Sequence, residues 1–343
     1  MKRVGLLGLP QSGKSTVFEV ILQGAGVEAK TASGRETIGV VKVPDERVDR
    51  LSALYSPKST VHSQVQFVDT VAASSQGKPS KGPDLFASVR NCDALAAVVR
   101  EFDSDPAAAR RDLRTLEAEL ILNDLALVET RRERIEKELR IGKKQNEREH
   151  GLLVRFQQAL EAEQPLRGMP LDPEEEKLVR GFQLLTMKPL LVVYNQGEAG
   201  QAPAPGDGPH TAAVGLKALL EREVLALPAA ERPGFRAELG LGEDGLTTVI
   251  RACFRLLGLI SFFTVGEDEV RAWTLSAGAK AVEAAGEIHT DLAKGFIRAE
   301  VIPWDKLLEV GGEKGARERG WLRLEGRDYV VQDGDCLNIR FNR

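Results

Sequence analysis

Apolar and polar positions repeat with different periods in different parts of the chain, and the period assigns the elements. The stretch "KRVGLLGLPQSGKSTVFEVILQG" opens with a strand-like apolar run and passes through a glycine-containing loop. It then continues as a helix with Val17, Phe18, Ile21 and Leu22 on one side. In "STVHSQVQFVDT" the alternation of Val61, Val65 and Phe67 predicts an extended segment with Asp69 at its carboxyl end. The apolar runs "CDALAAVVR" (92–100) and "KPLLVVYN" (188–195) suit strands buried on both faces of a parallel sheet.

After Phe102 the pattern becomes helical. Ile121, Leu125, Val128, Arg132, Ile135 and Leu139 step by four and three, a heptad seam broken once by Arg132. A second arm carries Leu153, Phe156 and Leu160 on one face and stops at Pro165. A third helix is predicted from "LDPEEEKLVRGF", with Asp172 as its cap and Pro173 in its first turn. These segments form an antiparallel helical hairpin. From about residue 261 short alternating strands return, with turns at Gly326-Arg327-Asp328 and Asp333-Gly334-Asp335 and one helix near 281–294.

The fold class expected is α/β: a parallel sheet with an inserted antiparallel helical hairpin and a small C-terminal α+β sheet of the β-grasp kind. The domain boundaries expected are 1–102 and 186–260 for the nucleotide-binding domain, 103–185 for the helical insert and 261–343 for the last domain.

Composition changes this picture little. At 343 residues, with 42% apolar and 29% charged residues, the chain is an ordinary globular sequence of two or three domains. A net charge of −4 excludes a global electrostatic footprint for nucleic acid, so any such contact must be local. Cys92, Cys253 and Cys336 form no metal-spaced pair and read as buried thiols in a reducing cytoplasm. The N-terminal apolar run leads into a motif and offers no cleavage site. No run approaches a membrane span, so a cytoplasmic location without membrane contact is expected.

The loop matches G-x-x-x-x-G-K-[ST] as Gly8, Gly13, Lys14 and Ser15. Glycines let backbone N–H groups turn inward around phosphates, and the following helix start adds positive potential. The backbone of residues 10–16 (Pro10, Gln11, Ser12, Gly13, Lys14, Ser15, Thr16) would form the cradle. Lys14 would reach the β- and γ-phosphates and act as the catalytic charge, while Ser15 and Asp69 would hold Mg²⁺. In "LLVVYNQGE" the strand ends in Asn195-Gln196-Gly197-Glu198, where a guanine-reading protein would carry Asn-Lys-x-Asp.

Between Arg131 and Arg148 stand eight Lys or Arg (131, 132, 134, 137, 140, 143, 144, 148) and four Glu, a net +4 near the hairpin end. This is either a solvated tip with i,i+4 pairs or a contact for RNA phosphates. The segment from residue 261 carries −3 and is not a nucleic-acid binder by charge alone. His62, Trp273 and His289 read as packing or surface residues.

These pieces in this order resemble the YchF/Obg-like ATPase family along almost the whole chain. The supporting stretches are "GLPQSGKST", "GVVKVPDERVDRL", "FVD", the insert after "DSDP", "VVYNQGE", "FFTVGEDEVRAWT", "IHTDLAKGFIRAEV" and "LEGRDYVVQDGD". The resemblance implies a P-loop domain, a coiled-coil arm and a TGS domain. It also implies ATP bound as well as or better than GTP, slow hydrolysis and association with ribosomes or ribosomal RNA through the arm and the TGS domain. A monomer is expected. The family reads its base with Asn-x-x-Glu, which places Asn195 and Glu198 at the purine.

The chain also departs from the family. Gln11 and Ser12 replace an Asn-Val pair, and that Asn supports a monovalent cation in related potassium-dependent enzymes. Asp69-Thr70-Val71-Ala72 replaces Asp-x-x-Gly, and "ASSQGKPSKGPD" replaces a longer glycine-rich stretch. In "KTASGRETIGVV" Ser33 falls where the family has a Mg²⁺-contacting threonine. The readings that follow are a slow, ribosome-associated ATPase switch, a non-hydrolysing nucleotide sensor, or a guanine-specific GTPase.

Overall fold

The structure is a computed structural model that describes residues 1–28, 30–32, 36–70, 86–102, 107–140, 146–200, 210–242 and 244–342. Ser33, Val71, Ala72, Lys143 and Lys144, singled out above, lie outside the described residues. The strands in chain order are β1 (Lys2–Leu7), β2 (Lys30–Ala32), β3 (Glu36–Lys42), β4 (Ser59–Val61), β5 (Gln64–Thr70), β6 (Ala94–Glu101) and β7 (Leu190–Gln196). They continue with β8 (Thr211–Leu216), β9 (Leu259–Thr264), β10 (Glu269–Ser276), β11 (Phe296–Pro303), β12 (Arg323–Glu325) and β13 (Asp335–Phe341). One sheet has the order β2-β3-β5-β1-β6-β7-β8 and the other the order β12-β11-β13-β9-β10-β4.

The chain divides into two compact units, the larger of residues 2–40 and 66–256. In it β6 runs parallel to both β1 and β7, and β8 runs parallel to β7. The apolar runs that predicted these strands are buried: Leu95, Val99, Leu190 and Val192 form one core with Leu116, Leu120 and Leu185. Parallel pairing brings the carboxyl ends of β1, β6 and β7 to one edge, where ligands of such sheets sit.

The helix Ala108–Arg140 has 33 residues, a rod of about 50 Å at 1.5 Å per residue. Its root is clamped to the sheet. Arg100, on β6, donates to both oxygens of Asp112 at 2.8 and 3.0 Å. These hydrogen bonds hold the Asp112 carboxyl below its ordinary range. The clamp is therefore complete at neutral pH and is lost only as acid reaches that lowered value.

One turn above the seam's start, fully buried Asp124 accepts from Leu185 N (3.0 Å), Thr186 N (2.7 Å) and Thr186 Oγ1 (2.7 Å). Further out the predicted seam packs on the second arm, Glu147–Glu161: Ile121, Val128 and Ile135 meet Leu152, Leu153, Phe156 and Leu160. Arg132, the break in the heptads, is half-buried and donates to Gln157 of that arm. Asp172 caps the helix Pro173–Val179 by accepting from Glu174 N and Glu175 N, each at 2.9 Å.

The smaller unit holds Met1 and residues 41–65 and 257–343. Here the structure departs from the expected boundary, which assigned 41–65 to the nucleotide-binding domain. Val48 and Leu51, on the helix Glu46–Tyr55, are fully buried against Phe263, Val270 and Ile302. Arg47 is bonded to Asp45 and Asp333 and lies 5.3 Å from the Phe263 ring centroid. β4 extends the sheet by pairing parallel with β10.

The remaining strands are β-grasp in arrangement: β9 and β10 pair antiparallel, β13 joins β9 in parallel, and β11 joins β13 antiparallel. The helix expected near 281–294 is two, Ala281–Ile288 and Thr290–Lys294. They are split at extended His289, whose Nδ1 accepts from Asp291 N and caps the second. Trp273 stacks on Phe262 and His62 meets Asp49 at 2.9 Å, so all three residues serve packing or surface contacts as expected.

Candidate functional site

β1 ends at Leu7, and the chain turns through residues 8–13 into the helix Lys14–Gly24. The turn needs two residues in the left-handed region, Gln11 at φ 67° and Gly13 at φ 81°. Glycine adopts this freely, whereas glutamine adopts it at a cost. Ser12 N donates to Leu9 O at 3.1 Å, and Val17 N starts the helix ladder on Gly13 O at 2.9 Å. Gly8 is required by space: a Cβ there would stand 2.5 Å from Ser12 Oγ and 3.0 Å from Val98 O. The loop is thus folded tightly on itself with the start of an 11-residue helix behind it, the form that collects backbone N–H groups around an anion.

The structure brings the sequence-selected residues to this loop from two further strands. Asp69, 8% exposed near the end of β5, forms an ion pair with Lys14. Buried Asn195, on β7, donates from Nδ2 to Ser12 O at 3.1 Å. Gly13 allows this approach, because a Cβ there would collide with Asn195 Nδ2. Glu198 is exposed, and its carbonyl accepts from Lys217 Nζ at 2.7 Å. Gln196 donates to Glu101 Oε2 at 2.5 Å, so the residue in the place of the guanine-type lysine is engaged by the neighbouring strand.

A cleft of about 290 Å³ opens beside the loop, lined by Gly13, Thr16, Asn195 and Glu198 together with Phe102 and Leu219. Phe102 is 44% exposed and Leu219 54%. Sequence reasoning missed both. Phe102 had a signal, since it stands one residue beyond a buried strand at the ligand-binding edge of the sheet. Leu219 had none, as it is one of several apolar residues in the helix Ala218–Ala226.

The oxygen donors suit a magnesium ion better than a dedicated metal cage. Asp69 offers a carboxylate beside Lys14, and the next residue, Ser15, offers an exposed hydroxyl. Among the described residues no group of three or more His, Cys, Asp or Glu is placed to hold a metal. A small hard cation that keeps waters and phosphate oxygens fits such a sparse set.

The basic stretch is partly consumed by the hairpin. Arg131 donates to both carboxylate oxygens of Glu149, at 2.7 and 2.9 Å, and Arg148 pairs with Asp172 and Glu174. Lys137 and Arg140 are exposed at the end of the first arm. Among the described residues no helix is long and apolar enough to cross a membrane.

A largely parallel sheet of this order with an antiparallel edge at β2, a glycine loop leading into a helix and a lysine facing an aspartate define the P-loop NTPase class. The YchF-GTPase_C family model, described as a protein of unknown function (DUF933), matches residues 259–342. Over 362 residues the chain is 39% identical to the ribosome-binding ATPase YchF of Bacillus subtilis, covering 98% of each. It is 37% identical to the protein of that name from Haemophilus ducreyi, covering 99% of each. The structure of the Schizosaccharomyces pombe YchF GTPase superimposes with a TM-score of 0.83 at 28% identity, over 99% of this chain and 97% of that one. The chain belongs to the YchF family.

Proposed function

We propose that the chain binds purine nucleotides at the Gly8–Thr16 loop, takes ATP in preference to GTP, hydrolyses it slowly and acts in the cytoplasm in association with ribosomes. The observation that carries the base reading is the bond from Asn195 Nδ2 to Ser12 O. It ties the base-reading strand end to the phosphate loop with one of the two Nδ2 hydrogens, so Asn195 can still both donate to and accept from a purine edge. Its acceptor Oδ1 would suit the exocyclic amino group of adenine. Glu198, one methylene longer than the aspartate of guanine sites, is poorly placed to grip both N1 and N2. Phe102 and Leu219 supply apolar walls for a flat ring. The relatives' names, ribosome-binding ATPase, support the nucleotide and the partner.

Residues of this chain divide the chemistry simply. The backbone of residues 10–16 orients the phosphates, and Lys14 stabilises charge that develops on the transferring group. Asp69 and Ser15 would hold Mg²⁺, which would supply charge neutralisation for the phosphates. Exposed Lys137 and Arg140 at the hairpin end are the cations we assign to a ribosomal RNA contact. Ala72 in place of the switch glycine favours a second reading, in which nucleotide is bound and sensed without turnover.

Phosphate release from ATP and from GTP, with and without ribosomes, separates the two. Slow turnover of ATP that disappears in Lys14→Ala supports the ATPase. Tight binding with no release above the Lys14→Ala background supports the sensor.

A further inference from the structure

The helix Ala108–Arg140 buries one side in the sheet core and against the second arm, and another side is exposed. The middle of that exposed side carries Thr115, Ala118, Leu122 and Ala126, with Arg111 before them and Glu129 and Glu133 after. Leu122 is 64% exposed and Leu127, at its flank, 39%. From Arg111 the steps are four, three and four, and from Leu122 they are four, three and four again. An eleven-residue repeat stays close to the helical turn, so these positions form one nearly straight stripe. Thr115 Oγ1 donates to Arg111 O at 2.9 Å and Thr130 Oγ1 to Ala126 O at 2.8 Å, so both hydroxyls are satisfied within the helix. The stripe is apolar in its middle and charged at its ends.

The end charges are ordered. The first turn of the helix holds Arg110 and Arg111 and no acid, against the preference of a helix start for negative charge. The acids stand beyond Leu122, and the two halves mirror each other about it. Arg111 and Glu133 lie equally far from Leu122, as do Thr115 and Glu129, and Ala118 and Ala126. We propose that this stripe docks a second copy of the chain, packed antiparallel about Leu122, so that the protein forms a weak, reversible dimer in place of the expected monomer. A two-fold axis at Leu122 sets Arg111 of each copy against Glu133 of the other and leaves Leu122 facing itself. Parallel packing would set Arg111 on Arg111 and Glu133 on Glu133, like charges face to face. Arg134, which the antiparallel register brings toward Arg110, is held by Glu138 of its own helix at 3.4 Å. Contact along a single helical stripe belongs to the small end of specific interfaces, which suits a reversible pair. Lys137 and Arg140 lie beyond the paired stretch and stay open.

The test is sedimentation equilibrium of the full chain at low ionic strength, from micromolar to submillimolar concentration. Wild type should dimerise reversibly, and Leu122→Glu should weaken the dimer at least tenfold while melting as wild type does. Arg111→Glu and Glu133→Arg should each weaken it at least threefold. Combined in one chain they should restore it to within twofold of wild type, because the exchanged charges are again complementary. Engineered cysteines read the orientation, since Cys92, Cys253 and Cys336 are buried. Under oxidation Leu122→Cys should link to its own copy. Glu129→Cys should not, as the register holds it about 21 Å along the helix from the same residue of the other copy. Wild type that stays monomeric overturns the proposal, as does a dimer that Leu122→Glu leaves intact. Failure of the double charge exchange to restore the dimer overturns the pairing of Arg111 with Glu133. Linking of both cysteine variants, or of neither, overturns the antiparallel register.

Discussion

Replacing Gly13 by alanine is expected to weaken ATP binding at least a hundredfold, about 2.7 kcal/mol, in a chain that still folds. Two independent costs meet at this position. The backbone is left-handed, φ 81° and ψ 15°, where a Cβ costs roughly 1–2 kcal/mol. The added methyl also collides with Asn195 Nδ2, which lies in a buried setting with little room to retreat. Either the loop opens and its N–H groups lose their convergence, or Asn195 moves and its 3.1 Å bond to Ser12 O is broken. Both responses damage the site, and neither touches the sheet core. Titration with Mg-ATP, alongside a melting curve, checks it. Affinity within threefold of wild type would show that the loop does not need this conformation to bind.

The second large effect is expected at the root of the hairpin. Asp124→Ala removes the acceptor for Leu185 N, Thr186 N and Thr186 Oγ1 and leaves these donors buried. It also takes away the carboxylate 3.8 Å from Arg90, itself only 13% exposed. Each stranded donor costs roughly 1–3 kcal/mol, and partial relaxation brings the total to about 3–5 kcal/mol. Urea unfolding of the full chain should show that loss in the transition of the larger unit, while the smaller unit melts as before. Asp124→Asn keeps the shape and one acceptor and should lose less than half as much. A loss below about 1 kcal/mol for Asp124→Ala would mean that these bonds do not hold the hairpin to the sheet.

Local signals in the sequence were strong where one side chain's chemistry or a short period decides the structure. The loop from Gly8 to Thr16, the heptad positions Ile121, Val128 and Ile135, and the Asp172 cap were all legible for that reason. What stayed hidden depends on partners distant in sequence. Residues 41–65 look like a continuation of the nucleotide-binding sheet. Their place with the C-terminal strands rests on Arg47 meeting Asp333 and on β4 pairing with β10, about 210 residues away. Arg131 read as part of a tip with i,i+4 pairs or an RNA contact, because its partner, Glu149, lies across the hairpin. His289 looked like mid-helix, yet its extended backbone ends one helix and caps the next.

The site shows the same division. Gly13, Lys14 and Asn195 could be named from motifs, but no motif states that a Cβ on Gly13 would strike Asn195. Phe102 and Leu219 carry no chemistry of their own and become notable only through their exposure beside the cleft. The Lys14–Asp69 pair was readable as two candidate residues and not as one contact, since they stand 55 residues apart in sequence.

The central claim is that Asn195 and Glu198 present an adenine-reading edge to a functional phosphate loop. Calorimetric titration of nucleotide-free protein with Mg-ATP and Mg-GTP, with Lys14→Ala as control, tests it most directly. The account predicts that ATP binds at least as tightly as GTP and that the control abolishes both. GTP bound a hundredfold more tightly than ATP, about 2.7 kcal/mol, would contradict it.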